Sequence, residues 1–293
     1  MSDPIFSAAQ LTSKTVLECT SAELSEAMNR SFENYFVPLH FDAASFERRF
    51  RGENLDASAS RLWFCGEALV GVVYIARRGW TSRVAAMGLV LEARGLGLGK
   101  VMLQTAIDEA IVRSDRSLML EVFTVNEPAI RLYERLGFQK QRTLTGFQRK
   151  QTTLASADSV DQLTEIDPLV VARLVTQEGD SDLPWMITGE TLAAATAPVA
   201  AWHLAQNAYA LVRPEASRVL LLSLVVPKAV RRQGWATRLL RALEIHYDEQ
   251  PLVVPPLLPP GTGQAFLQGC GWEATSLQLF EMDRLLPYQV ALG

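Results

Sequence analysis

The stretch Arg94-Gly95-Leu96-Gly97-Leu98-Gly99-Lys100 decides how the first half of the chain is read. An apolar run, Val84 to Leu91, precedes it and has the length and composition of a buried strand. After it, Leu103, Ala106, Ile107, Ala110 and Ile111 recur at helical spacing. The glycines therefore stand where a strand turns into a helix. Such a turn leaves main-chain N–H groups unpaired at the positive end of a helix dipole. Glycine there lets the backbone approach a ligand closely. An anion such as a phosphate is the guest this arrangement selects; the structural alternative is a glycine-rich turn that holds nothing.

Spacing narrows the choice. A P-loop, G-x-x-x-x-G-K-[ST], fails because Val101 follows Gly99-Lys100 and Arg94 stands five positions before Gly99. A dinucleotide fingerprint, G-x-G-x-x-G, is met by Gly95 and Gly97 but has Lys100 in its third place. That alternative stays open through the acid-ended strand Leu118-Met119-Leu120-Glu121. R-x-x-G-x-G fits fully, from Arg94 through Gly97 to Gly99. It resembles motif A of the GNAT superfamily of acyl-CoA N-acyltransferases, whose loop cradles the pyrophosphate of coenzyme A. Downstream, Asn126 suits a helix cap, Pro128 is tolerated in the first turn, and Ala129, Leu132, Tyr133 and Leu136 form one face. Gly137 then suits a left-handed helix end before Phe138. This block resembles motif B of the same superfamily, N-x-x-A-x-x-L-Y-x-x-x-G-F.

The rest of the first half agrees with that fold. Thr15 to Cys19 reads as a strand. A helix capped by Ser21 runs to about Tyr35, and Pro38 lies beyond its end. Asp42 caps a second helix containing Phe46 and Phe50. Arg61–Phe64 and Leu69–Ala76 form a hairpin, Arg83–Leu91 a strand, and two strands are expected at about 138–145 and 146–154.

A Ser/Ala/Asp-rich stretch, 155–160, reads as a linker, after which the theme repeats. Arg218–Val226 is an apolar strand, Arg231-Arg232-Gln233-Gly234-Trp235-Ala236 reads R-x-x-G-x-A, and Phe266 to Trp272 lines up with Leu132 to Phe138. Leu267 takes the place of Tyr133 and Pro260 that of Asn126. The front of this half reads poorly as a strand followed by two helices. The expected architecture is α/β with mixed sheets: two tandem GNAT-type domains, 1–154 and 155–293, each a mainly antiparallel sheet flanked by helices. The second copy is degenerate.

Composition sets the compartment and partners. The chain has 293 residues and net charge −4, which gives nucleic-acid binding no electrostatic support. Residues 1–150 hold 19 basic and 17 acidic groups, so the basic excess lies in the first half. Cys19, Cys65 and Cys270, with His40, His203 and His246, have no metal-ligand spacing, so no metal is expected. The N-terminus lacks a signal pattern and no run suits a membrane span, so the expected compartment is the cytoplasm.

The resemblance implies an N-acetyltransferase using acetyl-CoA as co-substrate. Its coenzyme contacts are expected at Leu89, Val90, Leu91, Arg94, Gly95, Leu96, Gly97, Leu98, Gly99, Lys100, Asn126, Ala129 and Tyr133. A main-chain N–H near Leu89 is the expected oxyanion donor, and Tyr133 takes the general-acid position; periodicity alone makes Tyr133 a core residue. Glu121 is a candidate base acting through water, or else an ion-paired strand residue. Glu33 and Tyr35 are placed at the acceptor pocket. The acceptor is an amine of a small molecule or peptide, with oligomeric state left open. The alternative is a non-catalytic acyl-CoA-binding or regulatory module.

Overall fold

The computed structural model describes residues 6–149, 161–247 and 250–287. Packing divides the chain into two units. The first comprises Met1–Val122, Asn126–Gln141 and Glu281–Gly293, the second Phe123–Val125 and Arg142–Phe280.

In chain order the first half forms β1 (Leu11–Thr15), α1 (Ser21–Ser31), α2 (Ala43–Glu53), β2 (Arg61–Cys65), β3 (Ala68–Arg78), β4 (Thr81–Leu89), α3 (Leu98–Val112), β5 (Ser117–Phe123), α4 (Glu127–Arg135) and β6 (Gln139–Arg149). The strand expected over Thr15–Cys19 lies earlier, because Glu18 folds back to accept from the Thr15 N–H at 2.7 Å and closes a short turn. The α1 cap is Thr20 rather than Ser21. Its hydroxyl accepts the Glu23 N–H while the Glu23 carboxylate accepts the Thr20 N–H, a reciprocal capping box. The helix stops at Ser31, short of Tyr35, and the chain turns through a left-handed Asn34. Asp42 caps α2 as expected. Phe46 and Phe50 of α2 then pack edge-on against Tyr74 of β3, with centroids 5.5 and 5.3 Å away. Val70, Val72, Val73, Tyr74, Ile75 and Ala76 are all buried, so β3 is a central strand covered on both faces.

Strands β1 to β4 pair antiparallel in sequence, and β4 pairs parallel with β5. That last pairing runs only from Thr81–Ser117 to Val84–Leu120. Beyond it β4 continues to Leu89 and β5 to Phe123, so the two strands part there. At the fork sits a buried ion triad. Arg83 of β4 donates to Glu121 of β5 at 2.7 Å and to Glu53 of α2 at 2.7 Å, and Arg49 reaches Glu53 at 2.8 Å. Burial alone would raise the Glu53 pKa, but Arg49 and Arg83 outweigh it and hold the carboxyl below its ordinary value.

The second unit adds β7 (Thr164–Ile166), α5 (Pro168–Glu178), α6 (Gly189–Leu192), β8 (Ala200–Leu204), β9 (Ala208–Pro214), β10 (Val219–Val225), α7 (Trp235–His246), β11 (Leu252–Leu258), α8 (Gln264–Gly269), β12 (Trp272–Ala274) and β13 (Leu279–Leu285). It repeats the first unit's order, with the second helix cut to the four residues of α6. The strand and helices that the sequence showed poorly are therefore present. Strand β10 pairs parallel with β11 only at Val219–Leu252 and Leu220–Val253, a second fork. Pro255 and Pro256 fit in β11 because the ladder to β6 is irregular between Val254 and Leu258, where no N–H is required.

A contiguous division at 154/155 does not describe this packing. The later part of β6 pairs with β11 and β12 of the second unit, and Phe147 sits in that unit's core. Conversely β13, from Glu281 onward, belongs to the first unit and is the neighbour of β5. Each sheet is completed by a strand from the other half of the sequence. The two strands expected at 138–145 and 146–154 run as one, β6, as far as Arg149. The expected linker lies outside the described residues. Among the described residues no helix is long and apolar enough to cross a membrane.

Replacing Arg83 with Met should strand Glu121 as an unpaired buried carboxylate. Urea unfolding should show a loss of about 3–5 kcal/mol. Acid should act in the same direction: the folded Glu53 pKa is depressed, so its contribution is present above roughly pH 4–5 and is lost as pH falls below.

Candidate active site

Two turns and one helix end meet around the fork of the first unit. The β4 strand ends in a short turn, Leu91–Ala93, and α3 starts at Leu98 with Gly97 as its cap. Gly95 and Gly97 have φ of +78° and +77°, a left-handed conformation that favours glycine. Lys100 donates back to the Gly97 carbonyl at 3.0 Å. Helix geometry leaves the N–H groups of Gly97, Leu98 and Gly99 without intrahelical acceptors. A Cβ built on Gly97 would meet nothing within 4 Å, so open space lies beside these donors. A phosphate fits such a place by charge and by hydrogen bonding. Leu96 and Lys100 are exposed at the same turn.

The rest of the expected coenzyme set divides. The Val90 N–H is taken by the Val70 carbonyl at 3.0 Å and the Arg94 N–H by Leu91 at 3.2 Å, so these two main-chain donors serve the protein itself. Leu89 lends its carbonyl to the Arg94 side chain, and Leu91 is 39% exposed. Asn126 caps α4 by accepting the Ala129 N–H at 3.4 Å. Side chains of Met87, Leu89 and Leu132 converge on Gly99, all within 3.5 Å of where its Cβ would lie, which places the first turn of α3 against β4 and α4.

Tyr133 is 7% exposed, its ring 5.9 Å from that of Phe138. Burial pushes its phenol pKa well above the ordinary value, and nearby Tyr35 adds to the effect. The hydroxyl is therefore a proton carrier at neutral and mildly alkaline pH. Tyr35 follows α1, its ring 5.0 Å from Phe32 and 5.2 Å from Phe36. Burial raises its pKa too, opposed by a hydrogen bond with Asn126. The structure thus brings Tyr35, Asn126 and Tyr133 together. Glu33 contributes its carbonyl, which accepts from Arg94 at 2.9 Å, while its side chain is on the exposed surface.

Glu121 does not stand free beside the cleft. One oxygen accepts from Arg83, and the other is buried without a hydrogen-bond partner. Sequence reasoning missed Glu53, Arg83, Ser31 and Phe32. The one available signal was Gly88, a glycine within the apolar strand: its Cβ would lie 2.8 Å from both the Ser31 carbonyl and the Phe32 ring.

The second unit keeps the same frame. Gly234 caps α7 at φ +83°, and Arg232, in Gly95's place, has φ +64°. A cleft of about 620 Å³ opens there, lined by Leu222, Val226, Arg231, Trp235, Leu258 and Phe266 among others. Leu267, aligned with Tyr133, is buried in the apolar core and brings no proton donor.

Comparison with known proteins agrees with this geometry. Residues 22–138 match the Acetyltransferase (GNAT) family. The chain as a whole has the fold of a tandem GNAT protein. A tandem GNAT protein from the clavulanic acid biosynthesis pathway superposes with a TM-score of 0.67 at 14% identity, over 96% of this chain and 99% of that one. A structure described as a putative acetyltransferase from Pyrococcus horikoshii gives 0.65 at 13% identity, over 97% and 92%. In sequence, 72 residues are 36% identical to a streptothricin acetyltransferase from Streptomyces lavendulae, spanning 24% of this chain and 38% of that protein.

Gly97→Val places a β-branched residue in the left-handed region and a side chain in the open space beside the N–H donors. Calorimetry should show coenzyme A affinity falling at least tenfold in a variant that keeps its helical signal. Unchanged affinity would mean that this turn holds no phosphate.

Proposed function

We propose that the protein is an N-acetyltransferase that carries the acetyl group of acetyl-CoA to a primary amine, with the reaction centred in the first unit. The observation that supports this most is the fork of β4 and β5 beyond Val84 and Leu120. The first turn of α3, with its unpaired N–H groups, packs against β4 and α4, where Leu132 reaches Gly99, and α4 also carries Tyr133. In this reading the pyrophosphate rests on Gly97, Leu98 and Gly99. The neutral amine attacks the thioester carbonyl carbon, the carbon–sulfur bond breaks, and the departing sulfur takes the phenolic proton of Tyr133. Glu121 serves as the counter-ion of Arg83; the proton released from the amine passes to solvent, from which the Tyr133 phenolate takes one back. The similarity to a streptothricin acetyltransferase makes small amine-bearing molecules the acceptors to screen first, ahead of peptides.

A second reading has one observation in its favour. An open cleft lies in the second unit, so acyl-CoA would bind there without turnover, Leu267 offering no acid. One set of proteins separates the two. An acceptor panel read by free-thiol release should show turnover that survives Gly234→Val and is lost in Gly97→Val. The reverse pattern assigns binding to the second unit, and no turnover in the parent with any acceptor favours the binding module. Tyr133→Phe should melt within a degree or two of the parent and bind acetyl-CoA equally well. Its kcat should fall about 10²-fold, the low end of the range for a lost general acid, because a thiolate is a fairly good leaving group. Parental kcat in that variant would leave Tyr133 a packing residue only.

A further inference from the structure

The first residue of R-x-x-G-x-G is exposed, yet its guanidinium is bonded to carbonyls of the protein itself. The Arg94 Nε donates to the Leu89 carbonyl at 3.0 Å, and its terminal nitrogen donates to Ser31 and Glu33 carbonyls at 3.3 and 2.9 Å. Those acceptors are the end of β4 and the chain leaving α1. In the second unit Arg231 repeats the pattern: its Nε donates to the Val226 carbonyl at 2.9 Å, and its terminal nitrogen to the Glu178 carbonyl at the end of α5. In both cases the Nε acceptor lies five residues before the arginine. We propose that Arg94 is a positioning residue, a clamp that ties the segment after α1 to the coenzyme turn, and that Arg231 is its counterpart in the second unit.

The chemistry suits the assignment. A guanidinium has five N–H donors in a rigid fork and no acceptor. The last carbonyls of a helix are unpaired and carry its negative pole. Arg94 gives its Nε and one terminal nitrogen to the Leu89, Ser31 and Glu33 carbonyls, of which Ser31 ends α1, so what it fixes is the segment after that helix. A lysine, with a single ammonium on a flexible stem, reproduces the charge but not the fork. The clamped segment is the one that carries Phe32, Tyr35 and Phe36. Tyr35, two residues past Glu33, bonds to Asn126. Asp180, two residues past Glu178, likewise accepts the hydroxyl of Thr262 at 2.7 Å, next to the cap of α8. Each unit thus carries a strap between the starts of two helices, α3 and α4 in the first and α7 and α8 in the second, fixed at one end by an arginine and at the other by a side-chain hydrogen bond. In the first unit the strap carries Tyr35, which is near enough to Tyr133 to act on it electrostatically.

The test uses the full chain as Arg94→Ala and Arg94→Lys, with hydrogen exchange read by mass spectrometry and coenzyme A binding by calorimetry. Exchange in 31–36 should quicken at least tenfold in Arg94→Ala while 101–112 stays as in the parent, and Arg94→Lys should fail to restore it. This arm needs no ligand and stands if the acetyltransferase reading fails. The binding arm rests on that reading. Coenzyme A should slow exchange in both 94–100 and 31–36 of the parent, but only in 94–100 of Arg94→Ala, with its Kd changed less than threefold. A tenfold or greater loss of affinity in Arg94→Ala that Arg94→Lys restores, with 31–36 unaltered, would make Arg94 a phosphate ligand and overturn the proposal. Parental exchange in 31–36 of both variants would overturn it equally. Should Arg94→Ala not fold, Arg94→Lys carries both comparisons.

Discussion

A guanidinium buried among carboxylates holds the first unit in its working form. Arg83 and Glu53 are both almost without exposure, and Glu121 is nearly so. Removing such groups from water is expensive, and apolar side chains of similar size often do as well for stability alone. What the triad supplies is location. Backbone pairing between β4 and β5 stops at Val84 and Leu120, and Arg83 grips Glu121 one residue beyond that last rung on β5. The strands are pinned immediately before they separate, and α2 is fastened to the same point through Glu53. The gap that follows can then widen without unzipping the sheet behind it.

The duplication preserves backbone geometry more faithfully than side chains. Arg232 takes a left-handed conformation where the first unit has Gly95, a strain of roughly 1–3 kcal/mol for a residue with a side chain. The turn has kept its shape although the residue that made it easy is gone. Its arginine clamp, its fork and its capping glycine are likewise retained, whereas the buried phenol has become Leu267. The frame around that position stands without the phenol, with a cleft open beside it.

Much of this was legible in the sequence where the determinants are local. The glycine turn, the helical period from Leu103 to Ile111, the Asn126 cap and the Gly137 stop each depend on residues a few positions apart, and all are found. So is the repeat, because it copies local patterns. Arg83 could not be assigned to Glu53 and Glu121 in advance, since nothing in a strand's alternation names partners 30 and 38 positions away. α1 ends at Ser31, short of the Tyr35 that the sequence suggests, because the apolar residues beyond it pack as a strap, not as a helix. The direction of Arg94 was invisible for the same reason as the exchange of β6 and β13: both are decided by which carbonyl or strand edge happens to lie nearby in three dimensions.

The exchange of strands has a consequence for how the protein is made. An ordinary pair of domains can fold one after the other as the chain leaves the ribosome. Here the first unit cannot finish its sheet until Glu281–Leu285 has emerged. At roughly 5–20 residues per second, the interval after β6 is on the order of 10 s. Through that time the β5 side of the first sheet is an open edge, the kind of surface that recruits foreign strands. Nascent chains of this protein must therefore either shield that edge or complete their second half quickly.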